Sequence, residues 1–138
     1  MKLNQVEPSL EELEIALRKS WSLESTEEPE NWTLSNPSRG QCGISSLIVN
    51  DYFGGKLVLW KVFIGNKQIG FHYSNELPDG TKVDVTSDQF WTNEELRDPK
   101  PFDRPNIPPK NGADRYLALA ILVKEKLENF RSDEASAT

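Results

Sequence analysis

One cysteine, one histidine and one aspartate have the residue types of a nucleophile, a proton carrier and an orienting carboxylate. Cys42 and His72 are the chain's single cysteine and single histidine, and Asp84 stands between two valines in residues 83–85. A carboxylate beside an imidazole fixes its tautomer, and an imidazole beside a thiol completes a thiolate–imidazolium pair. We take Cys42 as candidate nucleophile, His72 as general base and then acid, and Asp84 as the orienting group.

The sequence predicts a helix that begins almost at Cys42. Apolar residues recur after it near helical spacing: Ile44, Leu47, Ile48 and Phe53. Gly54-Gly55 follows where a C-terminal cap is expected. A helix N-terminus favours a negatively charged sulfur, and the amides from Gly43 onward would also hold a developing oxyanion. Gln41 is a further candidate oxyanion donor, although a plain loop residue explains it equally well.

Three antiparallel strands are predicted at residues 56–64, 67–77 and 81–86, which are rich in β-branched and aromatic residues. Gly65-Asn66 and Pro78-Asp79-Gly80 separate them. A hairpin that turns at residues 78–80 brings His72 and Asp84 nearly opposite each other, with their side chains on one face. The ordinary alternatives are an inert buried cysteine and a hydrogen-bonded sheet histidine.

The remaining segments predict an α+β domain with helices on one face of a small antiparallel sheet. Helices are expected at residues 9–22, where Ser9 and Glu12 have capping-box spacing, and at 112–130. The apolar side of the second of these is assigned to Tyr116, Leu117, Ala120, Ile121, Leu127 and Phe130. Residues 23–40 are expected to form a long loop and 98–111, with five prolines, an extended wrap over the surface. A single domain would cover residues 1–131, with 132–138 as a flexible tail.

Several polar and aromatic residues are candidates for a groove beside the thiol. Trp32 is the aromatic anchor of the long loop, Trp60 lies on the first predicted strand, and Asn75 follows His72 on the second. Tryptophans suit core and groove positions alike. Asn75, Thr86, Asp88 and Gln89 are explained as readily by turn and cap chemistry.

Composition excludes several classes of protein. The 138 residues carry 16 Lys and Arg against 22 Asp and Glu, a net charge of -6, which argues against a nucleic-acid binder held by bulk charge. No apolar run is long enough for a membrane span, and one cysteine and one histidine match no metal cluster. Phosphate-loop and dinucleotide motifs are absent, so no metal or cofactor is expected. The acidic start, without a secretory apolar run, predicts a cytoplasmic protein.

Three groups of motifs stand out along the chain: Pro37-Ser38-Arg39-Gly40-Gln41-Cys42 with Asp51-Tyr52-Phe53-Gly54-Gly55, then His72-Tyr73-Ser74-Asn75, and then Asp84-Val85-Thr86-Ser87-Asp88-Gln89-Phe90. Together they resemble the YunG-like family of small bacterial proteins. The similarity runs from about Trp21 to Tyr116. Ser74 stands where the family pattern has a tryptophan.

More distantly, the order of a helix-borne Cys, a strand His and a strand Asp resembles the papain-like superfamily, which includes transglutaminases and NlpC-type peptidases. That resemblance implies a minimal papain-like core and thiol-dependent acyl transfer at an amide, peptide or isopeptide bond. A non-catalytic module that binds a peptide or protein on the same fold is the main alternative. A redox sensor is a third, and with one thiol it would need glutathione or a second subunit.

Overall fold

The computed structural model describes residues 7–106 and 112–137, which form three α-helices and one four-stranded sheet. In chain order the elements are α1 (Leu10–Ser20), α2 (Cys42–Phe53), β1 (Lys56–Ile64), β2 (Lys67–Glu76), β3 (Lys82–Val83), β4 (Glu95–Phe102) and α3 (Ala113–Ala137). A 3-10 turn at Ser87–Gln89 lies between β3 and β4. The sheet is antiparallel with strand order β3-β2-β1-β4. The predicted α+β class is confirmed.

α1 begins at the predicted capping box. Ser9 Oγ accepts the N–H of Glu12 over 3.0 Å, and Glu12 Oε1 accepts the N–H of Ser9 over 2.9 Å. Both bonds satisfy donors that the first helical turn leaves unpaired. The helix ends at Ser20, slightly earlier than predicted, because Trp21 adopts an extended conformation.

The hydrophobic core lies between the helices and one end of the sheet. α1 packs against α3, α3 contacts α2, and α2 lies on β2 and β1. The buried residues include Leu13, Leu17, Ile44, Ile48, Val49, Val83, Val85, Leu119, Val123 and Leu127. This packing fixes α2, and with it Cys42, against the strand that carries His72.

The prediction for the buried side of α3 was wrong at two positions. Leu117 and Ile121 are exposed, whereas Leu119 and Val123 are buried. The face of α3 that packs against α1 and α2 is therefore rotated about the helix axis relative to the apolar face predicted from the sequence. α3 also continues to Ala137, beyond the predicted end at residue 130.

β4 was not predicted, because its two prolines indicated an extended wrap. The strand pairs with β1 from Phe63↔Glu95 to Leu57↔Phe102, and it lies at the edge of the sheet. An edge strand needs ladder partners on one side only, so the missing N–H groups of Pro99 and Pro101 are tolerated there. The last part of the predicted wrap, 107–111, lies outside the described residues.

In residues 7–106 and 112–137 no helix combines the length and the apolar character that crossing a bilayer requires.

Candidate active site

Cys42 is the first residue of α2, as the sequence predicts. Its side chain is buried, with 8% of the residue exposed, and it forms no disulfide. Gln41 occupies the N-cap position, and its carbonyl accepts the N–H of Ser45. The first-turn N–H groups of a helix have no partner within the helix, and the first turn of α2 contains no acidic residue. The sulfur therefore lies at the electropositive end of a helix.

Gly40 allows the loop to pack tightly just before Cys42. Its φ is +75°, and a Cβ at this position would lie 2.2 Å from Thr26 Oγ1 and 2.9 Å from the backbone nitrogen of Glu28. Glu27 donates its N–H to the Gly40 carbonyl, and Thr26 Oγ1 donates to the Arg39 carbonyl. Only glycine meets both the conformation and the close approach.

His72 is fully buried in β2, and its ring contacts Asp84. Nε2 lies 2.6 Å from Asp84 Oδ2, and because a carboxylate only accepts, Nε2–H is the donor. Asp84 directly follows Val83, the last residue of β3, and its Oδ1 accepts the N–H of Thr86. The predicted third strand is thus shorter than expected and stops before Asp84. The register Asn75↔Val83 still directs Asp84 towards the imidazole.

The electrostatic surroundings favour a charged imidazole. Burial lowers the pKa of His72, but hydrogen bonds with Asp84 and Cys42, together with the charges of both groups, outweigh it and raise the pKa from 6.5 to about 9. Since Nε2 faces Asp84, Nδ1 is the ring nitrogen that is left for Cys42. The ring of Phe90 packs edge-on against the imidazole at 4.7 Å between centroids. Asp84 and Cys42 therefore both favour the charged form of His72.

Gln89 contacts the imidazole, whereas the sequence explained it as readily by turn and cap chemistry. Its Nε2 lies 3.4 Å from His72 Nδ1 and donates to Thr86 Oγ1 over 2.9 Å. Its Oε1 accepts the N–H of Gly40 over 3.1 Å. The available signal was its place in the motif that starts at Asp84, since the 3-10 turn at Ser87–Gln89 returns its side chain to the site.

The three candidates for an oxyanion hole or groove next to Cys42 have separate surroundings. Gln41 is fully buried and donates from Nε2 to the Ser22 carbonyl over 3.1 Å. Gly43 is the second residue of α2, and a Cβ there would lie 3.0 Å from Oε1 of Glu27. Asn75 donates from Nδ2 to the Ser46 carbonyl over 2.9 Å, which ties β2 to α2. Asn75 thus holds the two elements together.

Trp60 lies beside the site, and Trp32 lies in the long loop. Trp60 is the direct partner of His72 across β1 and β2, which puts both side chains on one face of the sheet. Its Nε1 donates to Ser74 Oγ over 2.9 Å, and Trp32 Nε1 donates to the Pro37 carbonyl over 2.9 Å. Trp60 therefore shares the face of the imidazole, while Trp32 closes a turn of its own loop.

Tyr73 and Glu27 are two further groups near the thiol that the sequence did not single out. Burial raises the pKa of Tyr73, and the charges of Cys42 and Glu27 raise it further. The phenol therefore lies within electrostatic reach of both groups. Glu27 in turn forms an ion pair of 3.5 Å with Arg115 of α3.

In the part of the chain that the structure describes, no group of three or more His, Cys, Asp or Glu side chains is arranged to hold a metal ion.

Comparison with known proteins shows the family to which the chain belongs. A family model described as YunG protein matches residues 9–128. The chain belongs to the YunG family. It is 35% identical over 81 residues to "Uncharacterized protein YunG" of Bacillus subtilis (strain 168), an alignment that covers 59% of this chain and 63% of that relative. The chain thus matches less than two thirds of the relative's length, and no solved structure matches it. The YunG-like resemblance drawn from the motifs is confirmed.

Proposed function

We propose that this protein is a cysteine-dependent hydrolase or acyltransferase that acts on an amide, peptide or isopeptide bond. Cys42 is the nucleophile, His72 carries the proton, and Asp84 orients the imidazole. The observation that carries the proposal is the buried imidazole of His72, which lies 2.6 Å from Asp84 Oδ2 and whose pKa both Asp84 and Cys42 raise. A buried histidine in a purely structural role does not require two acidic groups that favour its charged form.

The reaction follows from these positions. The Cys42 sulfur attacks the carbonyl carbon of the substrate, and the backbone N–H groups at the start of α2 stabilise the oxyanion. The Nδ1 proton of His72 passes to the leaving nitrogen as the C–N bond breaks, which leaves a thioester on Cys42. Water or an acceptor amine then attacks the thioester and gives its proton to Nδ1 as the C–S bond breaks. Asp84 keeps Nε2–H in place throughout and stabilises the imidazolium.

The order of these groups in the fold is a second support for the proposal. The nucleophile starts a helix, the base lies on the adjacent strand, and the carboxylate follows the next strand along the chain. The papain-like superfamily has the same order, and we propose that α2, β2 and β3 form a minimal core of that type.

The first test is the pH dependence of Cys42 alkylation by iodoacetamide in the folded protein. Since the chain has one cysteine, intact mass reports the reaction at that site without ambiguity. We expect alkylation to persist well below pH ~8.5, where an ordinary thiol loses reactivity. His72→Ala should abolish this low-pH reactivity, and Asp84→Asn should reduce it. Asp88→Asn is the matched control, because Asp88 pairs with Arg18 instead of His72.

The second test asks for turnover. An activated ester such as p-nitrophenyl acetate should acylate Cys42, and the acyl group should then leave in a step that requires His72. Acylation with no release to water or to an added amine would contradict the hydrolase and acyltransferase proposal. The proposal would already be contradicted by the first test if Cys42 were alkylated like an ordinary thiol and if neither His72→Ala nor Asp84→Asn changed the pH dependence of alkylation.

The low exposure of Cys42 favours one alternative, a non-catalytic module that binds a peptide or protein on the same fold. A site that only binds its partner does not require the Cys42 thiol to be exposed to solvent. That alternative expects slow alkylation by iodoacetamide at every pH and no acyl release, and it expects peptide binding to survive Cys42→Ala.

A further inference from the structure

The side-chain amide of Gln89 links the imidazole to the loop that leads into Cys42. It is 3% exposed. Nε2 lies 3.4 Å from His72 Nδ1 and 2.9 Å from Thr86 Oγ1, while Oε1 accepts the Gly40 N–H over 3.1 Å. All its polar atoms therefore face the residues that surround the candidate nucleophile and base.

The orientation of this amide is fixed by its partners. The backbone N–H of Gly40 can only donate, so the atom that faces it must be the oxygen. The amide nitrogen must then face Thr86 Oγ1 and His72 Nδ1. A flipped amide would bring two donors together at Gly40 and is disfavoured.

The orientation of the amide also defines which imidazole state it favours. An N–H of Gln89 stabilises Nδ1 when that nitrogen carries a lone pair, and it opposes Nδ1 when that nitrogen carries a proton. Nε2–H meanwhile donates to Asp84. The amide and the carboxylate together select the neutral tautomer with its proton on Nε2.

We propose that Gln89 is a positioning residue that stabilises neutral His72 with its lone pair at Nδ1 towards Cys42, and that ties this imidazole to the loop before the nucleophile. Its purpose rests on the proposed function, because acyl transfer requires His72 to give up a proton in one step and accept one in the next. Asp84, which follows β3, and Cys42, on α2, are the ionisable groups that act on the imidazole in the described residues, and both favour its charged form. Gln89 opposes them.

The experiment is an NMR titration of His72, the single histidine of the chain, in Gln89→Met and Gln89→Glu. Methionine keeps the length of the side chain and removes the donor, and glutamate keeps the shape and replaces the donor with an acceptor. We expect the His72 titration midpoint to rise by about half a pH unit in Gln89→Met and further in Gln89→Glu. Gln68→Met, on the same strand as His72 but exposed, should leave the midpoint unchanged.

The direction of the shift separates this role from a merely structural one. If Gln89 only holds the loop in place, its loss loosens the contacts with Asp84 and Cys42, and the midpoint falls towards 6.5. A fall, or no change, in both variants would overturn the proposal. Both titrations are repeated in Cys42→Ser, where a rise on loss of the donor is again expected.

One measurement needs no change at Gln89 and keeps the proposal testable if both variants fail to fold. In Cys42→Ser, the ring ¹⁵N shifts of neutral His72 should show the proton on Nε2, and a proton on Nδ1 would overturn the proposal. None of these readouts requires catalysis. If the thiol is inactive but the His72 titration and ¹⁵N shifts are as expected, only the proposed function is contradicted. If acyl release depends on His72 but these shifts are not seen, only the role of Gln89 is contradicted.

Discussion

Arg39 and Glu94 form an ion pair that is almost completely withdrawn from water. Arg39 Nη1 lies 2.6 Å from Glu94 Oε1, and 7% and 2% of the two side chains are exposed. Arg39 precedes Gly40, its guanidinium lies 4.0 Å from the centroid of the Trp91 ring, and Glu94 accepts the Trp91 N–H. The pair therefore joins the loop before Cys42 to the segment that follows Gln89.

Glu94→Ala should destabilise the protein strongly. The substitution leaves the Arg39 charge buried without its main partner, a change that typically costs about 3–5 kcal/mol. Urea unfolding followed by tryptophan fluorescence measures the loss of unfolding free energy. Glu95→Ala is the control, because Glu95 pairs with Arg97 in an exposed ion pair that contributes little. Equal effects of the two substitutions would contradict the structural role given to the buried pair.

Gly40→Ala should be much more harmful than Gly80→Ala. Both glycines have positive φ, +75° and +89°, so both substitutions incur the left-handed penalty of about 1–2 kcal/mol. At Gly40 the new methyl group also meets the backbone of Glu28 and Thr26 Oγ1, whereas among the described residues nothing lies within 4 Å of a Cβ at Gly80. We expect about 3 kcal/mol or more at Gly40, together with slower Cys42 alkylation. Chemical denaturation of the two variants side by side tests this.

His72 should remain protonated through neutral pH and lose its proton near pH 9. Its raised pKa, about 9, means that the imidazolium persists above 6.5 and disappears as the pH rises through 9. Asp84→Asn and Cys42→Ser should each lower the titration midpoint, since each removes a group that favours the charged form. The Cε1–H resonance of this single histidine reports the midpoint. A wild-type midpoint near 6.5 would contradict the thiolate–imidazolium arrangement.

The ion pair between Arg18 and Asp88 should give a small, acid-sensitive contribution to stability. Burial raises the pKa of Asp88, but the hydrogen bonds and the charge of Arg18 outweigh it and lower the pKa below 3.8. A carboxylate with a lowered folded-state pKa stabilises the protein above 3.8, and this contribution is lost as the pH falls through the folded value. Because half of Asp88 is exposed, Asp88→Asn should cost at most about 1 kcal/mol at pH 7. Urea midpoints of wild type and variant should converge as the pH is lowered below 3.8, and a constant difference would contradict the assignment.

Local sequence patterns predicted most of the elements near the site. Side-chain spacing and glycine conformations within a few residues determine the capping box at Ser9 and Glu12, the helix Cys42–Phe53 and the first two strands. Such signals act between near neighbours in the chain, so these elements can be predicted from a single sequence. β4 was not predicted, because its prolines indicate a non-strand segment unless its position at the edge of the sheet is known.

The sequence by itself determined the inventory of the candidate site: one thiol, one imidazole, a carboxylate across a short turn, and a helix N-terminus beneath the thiol. Only the tertiary structure decided how these groups are held. Two contacts join residues that are distant in sequence: Gln89 with Gly40, and Arg39 with Glu94. They form because α2, β2 and the segment after β3 converge. The physical reason is that backbone propensity acts between near neighbours, whereas burial, hydrogen-bond partners and the pKa of His72 depend on which distant segments pack against each other.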